Sequence, residues 1–103
     1  MRLGVLDVGS NTVHLQVVDA SPGARPNPNI NYKEEVRLAE YLSADGFVSA
    51  EGTRLLREAI RRSLHEAKKV ETEELLPFAT SALREAKNGP DIIAKINEDF
   101  QID

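Results

Sequence analysis

The sequence predicts an α/β fold in which the elements follow the order β-β-β-α-β-α-α. Two short apolar runs bounded by turn residues, at 3–8 and 75–79, are typical of buried strands. Between them, apolar and polar residues alternate over 13–17, as they do in a half-buried strand. Residues 49–69 and 90–100 instead carry apolar side chains at helical spacing. We therefore expect a mixed sheet with helices packed on it.

The first two strands are close enough in sequence to form a hairpin around a turn at residues 9–11. Residues 19–31 contain three prolines and a glycine, which predicts a loop. A third strand is then expected over residues 30–38, where three consecutive charged residues make it polar and edge-like.

Three helices are expected in the second half of the chain. Ser49 is a favoured N-cap residue and predicts the start of a helix that ends near Lys69. The buried stripe of this helix is expected to comprise Leu56, Ala59, Ile60, Ser63, Leu64 and Ala67. The hydroxyl residues at 80–81 predict a short helix that ends at Lys87, and Pro90 suits the first turn of the last helix.

Length and composition indicate one domain of a soluble globular protein. The chain has 103 residues, of which 41% are hydrophobic and 29% are charged. The formal net charge of −4 gives the chain no overall attraction for a polyanion. Binding of phosphate would therefore depend on a local site.

The sequence excludes several kinds of site. The absence of cysteine excludes disulfides and thiolate metal sites. The two histidines, His14 and His65, are too few and too far apart in sequence to suggest a zinc site. The N-terminus lacks the pattern of a signal peptide, and no apolar run approaches the roughly 20 residues of a membrane span. We therefore expect a cytoplasmic protein that binds no membrane.

The sharpest candidate for chemistry is the run from Asp7 to Thr12 between the first two strands. Gly9 permits a tight turn, and Ser10, Asn11 and Thr12 offer hydroxyl and amide donors of the kind that bind phosphate. A bare carboxylate repels phosphate, so Asp7 suits such a site only if it holds a cation or orients water. The alternative is a hairpin turn built from favoured turn residues.

A second candidate lies at residues 78–86, where a strand leads into two hydroxyl residues and a helix. The free N–H groups at a helix start bind anions, and Ser81 and Arg84 are three residues apart, so both can face one spot. A guanidinium group can also bind two phosphate oxygens at once. The alternative is an ordinary N-cap serine followed by a solvated arginine.

Two other basic features are weaker candidates. Arg37 could reach a polyanion, although a surface arginine on an edge strand is the alternative. The cationic residues of the long helix are expected to form a solvated face without the interleaved aromatic residues of a nucleic-acid platform; they are Arg57, Arg61, Arg62 and Lys68. We therefore expect no binding to nucleic acid.

Three segments together resemble the Ppx/GppA family of exopolyphosphatases and guanosine pentaphosphate phosphohydrolases. They are LDVGSNT at residues 6–12, RLAEYL at 37–42 and ATSALREAKN at 79–88. The resemblance extends over nearly the whole chain in the family's order. The last segment is specific, whereas the first is shared with sugar kinases, actin and Hsp70-type ATPases.

The resemblance implies a partial lobe of the actin-like ATPase (ribonuclease H-like) fold and hydrolysis of a terminal phosphoanhydride with the help of Mg²⁺. It implies that Asp7 serves the metal and that residues 9–12 form the first phosphate-binding loop. Thr80, Ser81 and Arg84 would grip the phosphate chain beside this loop. Arg37 corresponds to an arginine of the family, but Ala39 and Tyr41 depart from the family's glycines.

The resemblance also implies that residues 1–103 are an N-terminal fragment of an exopolyphosphatase-like domain. The family's catalytic glutamate is expected shortly beyond Asp103, and its second phosphate loop is expected later still. No catalytic base is therefore expected in this chain, so the fragment alone would be inactive. The rest of the first lobe and all of the second would follow.

The expected partner is inorganic polyphosphate, and the alternative substrate is guanosine pentaphosphate. A further alternative is a module that binds polyphosphate or an alarmone without cleaving it, and another is an actin-like kinase or ATPase. A homodimer is expected for the full-length protein. A lobe cut before its remaining strands would expose a sheet edge, which predicts self-association of the fragment; a monomer in sedimentation at high concentration would contradict this.

Overall fold

The computed structural model describes residues 1–19, 27–79 and 82–102 and contains one four-stranded mixed sheet. The strands are β1 (Arg2–Val8), β2 (Thr12–Asp19), β3 (Asn27–Glu35) and β4 (Glu74–Ala79). The α-helices are α1 (Ala50–Lys69), α2 (Ala82–Glu85) and α3 (Gly89–Phe100), and a 3-10 helix spans Leu38–Tyr41. The predicted element order is confirmed, with the 3-10 helix as an addition. None of the described helices is both long and apolar enough to cross a membrane.

The strands lie in the order β3-β2-β1-β4. The predicted hairpin is confirmed: β1 and β2 pair antiparallel, with Val8 opposite Val13 at the turn. By contrast, β4 runs parallel to β1 after the crossover through α1, and Ala79 pairs with Val8. The C-terminal ends of β1 and β4 therefore lie side by side at one end of the sheet.

One face of the sheet packs on the helices and forms the core. Alternate residues of β1 and β2, including Leu6, Val13, Leu15 and Val17, are fully buried there. The stripe predicted for α1 is buried against them, except that Leu64 is only half-buried. Ser63 is buried without penalty because its hydroxyl donates to the carbonyl of Ala59, over 2.9 Å. The helix begins as predicted, with the Ser49 hydroxyl accepting from the Gly52 N–H at 3.0 Å.

The prediction for the third strand was wrong at both ends. The strand begins at Asn27, within the predicted loop, and ends at Glu35. Proline is tolerated at its start because β3 is an edge strand, and the ladder to β2 shifts register between Val17 and Val18 beside Pro28. The remaining predicted loop residues, 20–26, lie outside the described residues.

The end of β3 has a separate cause. After Glu35 the backbone N–H groups of the next residues donate to the 9–12 turn instead of extending the ladder. Arg37 then adopts a left-handed conformation with φ of 54°, which turns the chain into the 3-10 helix. Arg37 therefore lies at the start of that helix and not on an edge strand.

The basic face of α1 is more structured than predicted. The Arg62 guanidinium binds both carboxylate oxygens of Glu34 on β3, and the Tyr32 hydroxyl donates to the same carboxylate at 2.9 Å. Arg57 lies 2.7 Å from Asp99 of α3 and stacks over the Phe100 ring at 5.4 Å. These contacts connect α1 to β3 and α3, so the two arginines are not simply solvated.

The pair between Glu34 and Arg62 gives an expected pH dependence of stability. The hydrogen bond from Arg62 lowers the pKa of Glu34 from its ordinary value of 4.5. A carboxyl with a lowered pKa in the folded state stabilises fully above its unfolded pKa, and this stabilisation is lost as the pH falls through the folded pKa. We expect Glu34→Gln to lower the free energy of unfolding at neutral pH by about 0.5–1 kcal/mol and to flatten its decline below pH ~4.5.

Urea denaturation followed by circular dichroism at a series of pH values would measure this change. Glu51→Gln is the matched control, since Glu51 pairs with Arg54 within the first turns of α1 and connects no two elements. A pH profile of Glu34→Gln that parallels the unsubstituted protein would contradict the expectation.

Strand β4 forms an edge of the sheet and exposes two large apolar side chains. Leu76 is 45% exposed and Phe78 is 55% exposed. Both lie on the sheet face opposite the core. An open edge flanked by exposed apolar residues favours association between chains. The self-association of the fragment stays a prediction.

Candidate phosphate-binding site

The candidate site lies at the end of the sheet where β1 and β4 finish together. The parallel register places Val8 beside Ala79, so the turn at 9–12 and the connection into α2 begin at the same level. The two segments singled out by the sequence are therefore neighbours in space. Thr80 and Ser81, however, lie outside the described residues, so their predicted contacts stay predictions.

The turn at 9–12 is fixed by backbone hydrogen bonds. The Gly9 N–H donates to the Thr12 carbonyl at 2.9 Å and closes the turn. The Asn11 carbonyl accepts from the N–H groups of Val36 and Arg37 at 2.8 and 3.0 Å, and the Ser10 carbonyl accepts from the N–H of Leu38 at 2.8 Å.

This arrangement suits an anion better than an ordinary hairpin turn would. Carbonyl oxygens repel an anion, and those of Ser10 and Asn11 are bound to the segment at 36–38. Ser10 and Thr12 are half-buried and Asn11 is exposed. The N–H group of Gly9 is already used to close the turn. Gly9 is therefore less suited to bind phosphate than the sequence suggested.

Arg37 is held beside the turn through its backbone, but its side chain is already paired. The guanidinium donates to the Glu35 carboxylate and lies 3.7 Å from that of Glu40. The hydrogen bond to Glu35 raises the pKa of Arg37. The position of Arg37 beside the turn favours a role in phosphate binding. Its pairing weakens that role, because an anion would have to displace the two exposed carboxylates.

Arg84 is different, because its charge is uncompensated. Among the arginines that the structure describes, it alone has no carboxylate within 4.0 Å. It lies on α2, which is anchored through Leu83, a residue only 2% exposed, and which contacts the 3-10 helix. Arg84 itself is exposed. A fixed backbone that carries an unpaired guanidinium group is what binding of a phosphate chain requires.

Helix α2 is shorter than the sequence predicted. It spans Ala82–Glu85 and does not continue to Lys87. A single turn aligns few peptide dipoles, so its N-terminus contributes less to anion binding than a long helix would. The Arg84 side chain is therefore expected to contribute more positive charge to the site than the end of α2 does.

Asp7 lies near the end of β1 with its side chain exposed on the open face of the sheet. In register it is opposite His14 on β2 and Phe78 on β4. The described residues contain no group of three or more acidic or histidine side chains that could hold a metal. Mg²⁺ is commonly bound through one or two carboxylates together with substrate phosphates, and Asp7 fits that mode.

His14 shares this open face but is committed to another contact. Its Nε2 atom is hydrogen-bonded to the Asn31 side chain of β3. We therefore assign His14 no part in the site.

Sequence reasoning missed Asn88 as a residue of the site's framework. Its side-chain amide accepts from the Val48 N–H at 2.9 Å and donates to the Val48 carbonyl at 3.0 Å. The sequence did place an asparagine just before α3, but that position is equally typical of a helix cap, so nothing in the pattern pointed to a distant partner.

A model of the Ppx/GppA phosphatase family matches residues 17–103. Exopolyphosphatase 1 from Mycobacterium tuberculosis is 42% identical over 103 residues, which cover 100% of this chain and 30% of that protein. Exopolyphosphatase 1 from Mycobacterium leprae is 41% identical over 99 residues, which cover 96% of this chain and 29% of that protein.

Solved structures agree with these relatives. An exopolyphosphatase from Cytophaga hutchinsonii superposes with a TM-score of 0.91 at 27% identity, over 100% of this chain and 33% of that one. A Ppx/GppA family member from Aquifex aeolicus gives a TM-score of 0.89 at 18% identity, over 99% of this chain and 33% of that one, which supports the fold alone.

These comparisons confirm the predicted fold, which is that of part of an actin-like lobe. The chain spans about 30% of the length of the curated relatives it matches. The family pattern covers most of the sequence, and the identity to the two mycobacterial proteins exceeds 40%. The chain therefore belongs to the Ppx/GppA phosphatase family.

Proposed function

We propose that this chain is the N-terminal part of an exopolyphosphatase that releases terminal phosphate from inorganic polyphosphate. In this reaction water attacks the terminal phosphorus, and the bond from that phosphorus to the bridging oxygen breaks. The shortened polyphosphate is the leaving group and keeps the bridging oxygen, and the terminal phosphorus is released as inorganic phosphate. The chain's own part is to bind and orient the phosphate chain. The base that activates water is a glutamate expected beyond Asp103.

The observation that carries the proposal is the unpaired guanidinium of Arg84, on a helix that contacts the 3-10 helix just after Arg37. The backbone of Arg37 is in turn bound to the 9–12 turn, where the carbonyl oxygens of Ser10 and Asn11 are occupied. In a chain with a net charge of −4, an exposed and unpaired cation on an anchored helix favours an anionic ligand. A polyphosphate chain offers several non-bridging oxygens, so Arg84 and the donors at residues 10–12 could bind successive phosphates. The mycobacterial relatives named exopolyphosphatase favour polyphosphate over other phosphoanhydrides.

Mg²⁺ would be held by Asp7 together with oxygens of the substrate. When bound, the ion would neutralise charge on the phosphates and polarise the bond that breaks. Asp7 is exposed at the end of β1, where its carboxylate would otherwise repel the substrate. The cation, the homodimer and a cytoplasmic location all stay proposals.

The direct test is the rate of phosphate release by the full-length protein that contains this chain. We expect kcat/KM to be higher with inorganic polyphosphate than with guanosine pentaphosphate, and the activity to be lost when Mg²⁺ is removed with EDTA and restored when it is added back. The isolated chain is the negative control, since it lacks the expected base. Faster turnover of guanosine pentaphosphate would overturn the substrate, and full activity in EDTA would overturn the role of the metal.

A further inference from the structure

Asn88 connects the α2–α3 junction, which follows Arg84, to a segment that leads back to the 3-10 helix and Arg37. It lies between α2 and α3 and is half-buried. Its side-chain amide binds both the N–H and the carbonyl of Val48, as the backbone of a neighbouring strand would. The neighbouring N–H of Lys87 donates to the Gly46 carbonyl at 2.8 Å. Three hydrogen bonds therefore attach the α2–α3 junction to the segment at 46–48.

The segment at 46–48 is in turn attached to the 3-10 helix. Val48 forms a β-bridge with Leu42, and the Ser49 N–H donates to the Tyr41 carbonyl at 2.8 Å. Because Arg37 immediately precedes the 3-10 helix, this chain of contacts leads from Asn88 to Arg37 and the 9–12 turn. Asn88 is thus one of the points where the part carrying Arg84 is joined to the part carrying Arg37, and it supplies two of the three hydrogen bonds at this point.

The Asn88 side chain binds Val48 although it stands at a position where asparagine usually caps its own helix. Asparagine at an N-cap ordinarily accepts a hydrogen bond from its own helix, yet the Asn88 side chain makes no such bond to α3. Only its backbone carbonyl serves α3, by accepting from the Ile92 N–H at 3.0 Å. The amide of Asn88 is directed to Val48 instead, so its contribution is to the arrangement of segments and not to the start of the helix.

We propose that Asn88 is a positioning residue that holds Arg84 relative to the 9–12 turn, an inference that rests on the proposed polyphosphatase function. Asn88 follows Arg84 by four positions, and Arg84 itself lies on α2, which is a single helical turn. Because the segment from Arg84 to Asn88 is short, a shift of Asn88 relative to Val48 would also displace the Arg84 guanidinium group. A misplacement of about 1 Å can lower a rate by about 100-fold, so the loss of this attachment affects turnover more than folding.

The test is a double-mutant cycle in the full-length protein, measured as kcat and KM for phosphate release from inorganic polyphosphate. Asn88→Ala removes both bonds to Val48 and is expected to lower kcat/KM by about 10- to 100-fold. In the Arg84→Ala background the same substitution should lower it by less than about 3-fold, because the group it positions is gone. Additive losses in the two backgrounds would overturn the inference.

Asn88→Asp provides a second variant of the same size. It keeps the acceptor for the Val48 N–H but replaces the donor to the Val48 carbonyl by an oxygen, so it should lose activity to a similar degree. Asn97→Ala is the matched control, since Asn97 is also a half-buried asparagine but lies on α3, away from the bonds to Val48. It should leave kcat/KM within about 2-fold.

Rates are to be expressed per folded molecule, with the folded fraction taken from near-ultraviolet circular dichroism. Losses that disappear on this correction would show a structural role only and would overturn the inference while the proposed function stands. If Arg84→Ala itself leaves the rate unchanged, the proposed site is wrong and the positioning role falls with it. The two failures are therefore distinguishable.

Discussion

Replacement of Arg84 by alanine in the full-length protein is expected to lower kcat/KM for phosphate release from polyphosphate by about 10²- to 10³-fold. Arg84 carries the one guanidinium group among the described arginines that has no carboxylate partner, so its charge is available to the substrate. Removal of one charge-stabilising donor from an active site typically has an effect of this size. Steady-state kinetics over a range of polyphosphate concentrations would measure it.

Two further substitutions make this result specific. Arg84→Lys keeps the charge but cannot bind two oxygens in one plane, so it should restore only part of the lost activity. Arg61→Ala is the matched control, because Arg61 is exposed on α1 and pairs with Glu58 of the same helix. Equal losses in Arg61→Ala and Arg84→Ala would mean that overall charge, and not a site at α2, accounts for the effect.

The parts of the fold that sequence predicted well are those set by local pattern. The β1–β2 hairpin follows from two apolar segments around Gly9, and α1 follows from a cap at Ser49 and a helical stripe. The third strand was misplaced because its ends depend on partners distant in sequence. Pro28 is compatible with a strand only because β3 is at the edge, and Glu35 ends the strand because the next N–H groups are bound by the 9–12 turn.

At the candidate site, too, local pattern indicated the residue types, whereas contacts between distant segments were not predictable. Residue types at the turn and at Arg84 led to the prediction of anion binding, which stays a prediction, and the parallel register of β1 and β4 is consistent with the expected convergence. The sequence could not show that Arg37 is paired with Glu35, or that Asn88 binds Val48 across 40 positions. Both are contacts between segments, and no local period reports them.

Gly89→Ala is expected to destabilise the α2–α3 junction, because a side chain at this position would collide with the backbone of α2. A β-carbon at Gly89 would lie 1.9 Å from the carbonyl oxygen of Leu83 and 3.1 Å from its carbonyl carbon. Both atoms belong to the backbone, so relief requires α2 to move away from α3. We expect a loss of about 3 kcal/mol or more in the free energy of unfolding, which exceeds the gain of about 1 kcal/mol from a better helix former.

The contrast with Gly4 makes the measurement specific to this contact. A β-carbon at Gly4 would approach Leu75 Cδ1 at 2.9 Å and Thr72 Cγ2 at 3.1 Å, which are side-chain ends that can rotate away. Gly4→Ala should therefore lose less than about 1 kcal/mol in chemical denaturation. Hydrogen exchange would show where the damage lies, because Gly89→Ala should weaken protection at Leu83 and Lys87 before it affects β1.

Gly89→Ala is also expected to affect substrate binding, because Arg84 lies on α2 and moves with it when α2 shifts away from α3. Among Gly89→Ala molecules that remain folded, KM for polyphosphate should rise, whereas folded Gly4→Ala molecules should keep it. If Gly89→Ala proved as stable as Gly4→Ala, the close approach of Leu83 to Gly89 would be wrong. The proposed role of the α2–α3 junction in positioning Arg84 would then lose its structural support.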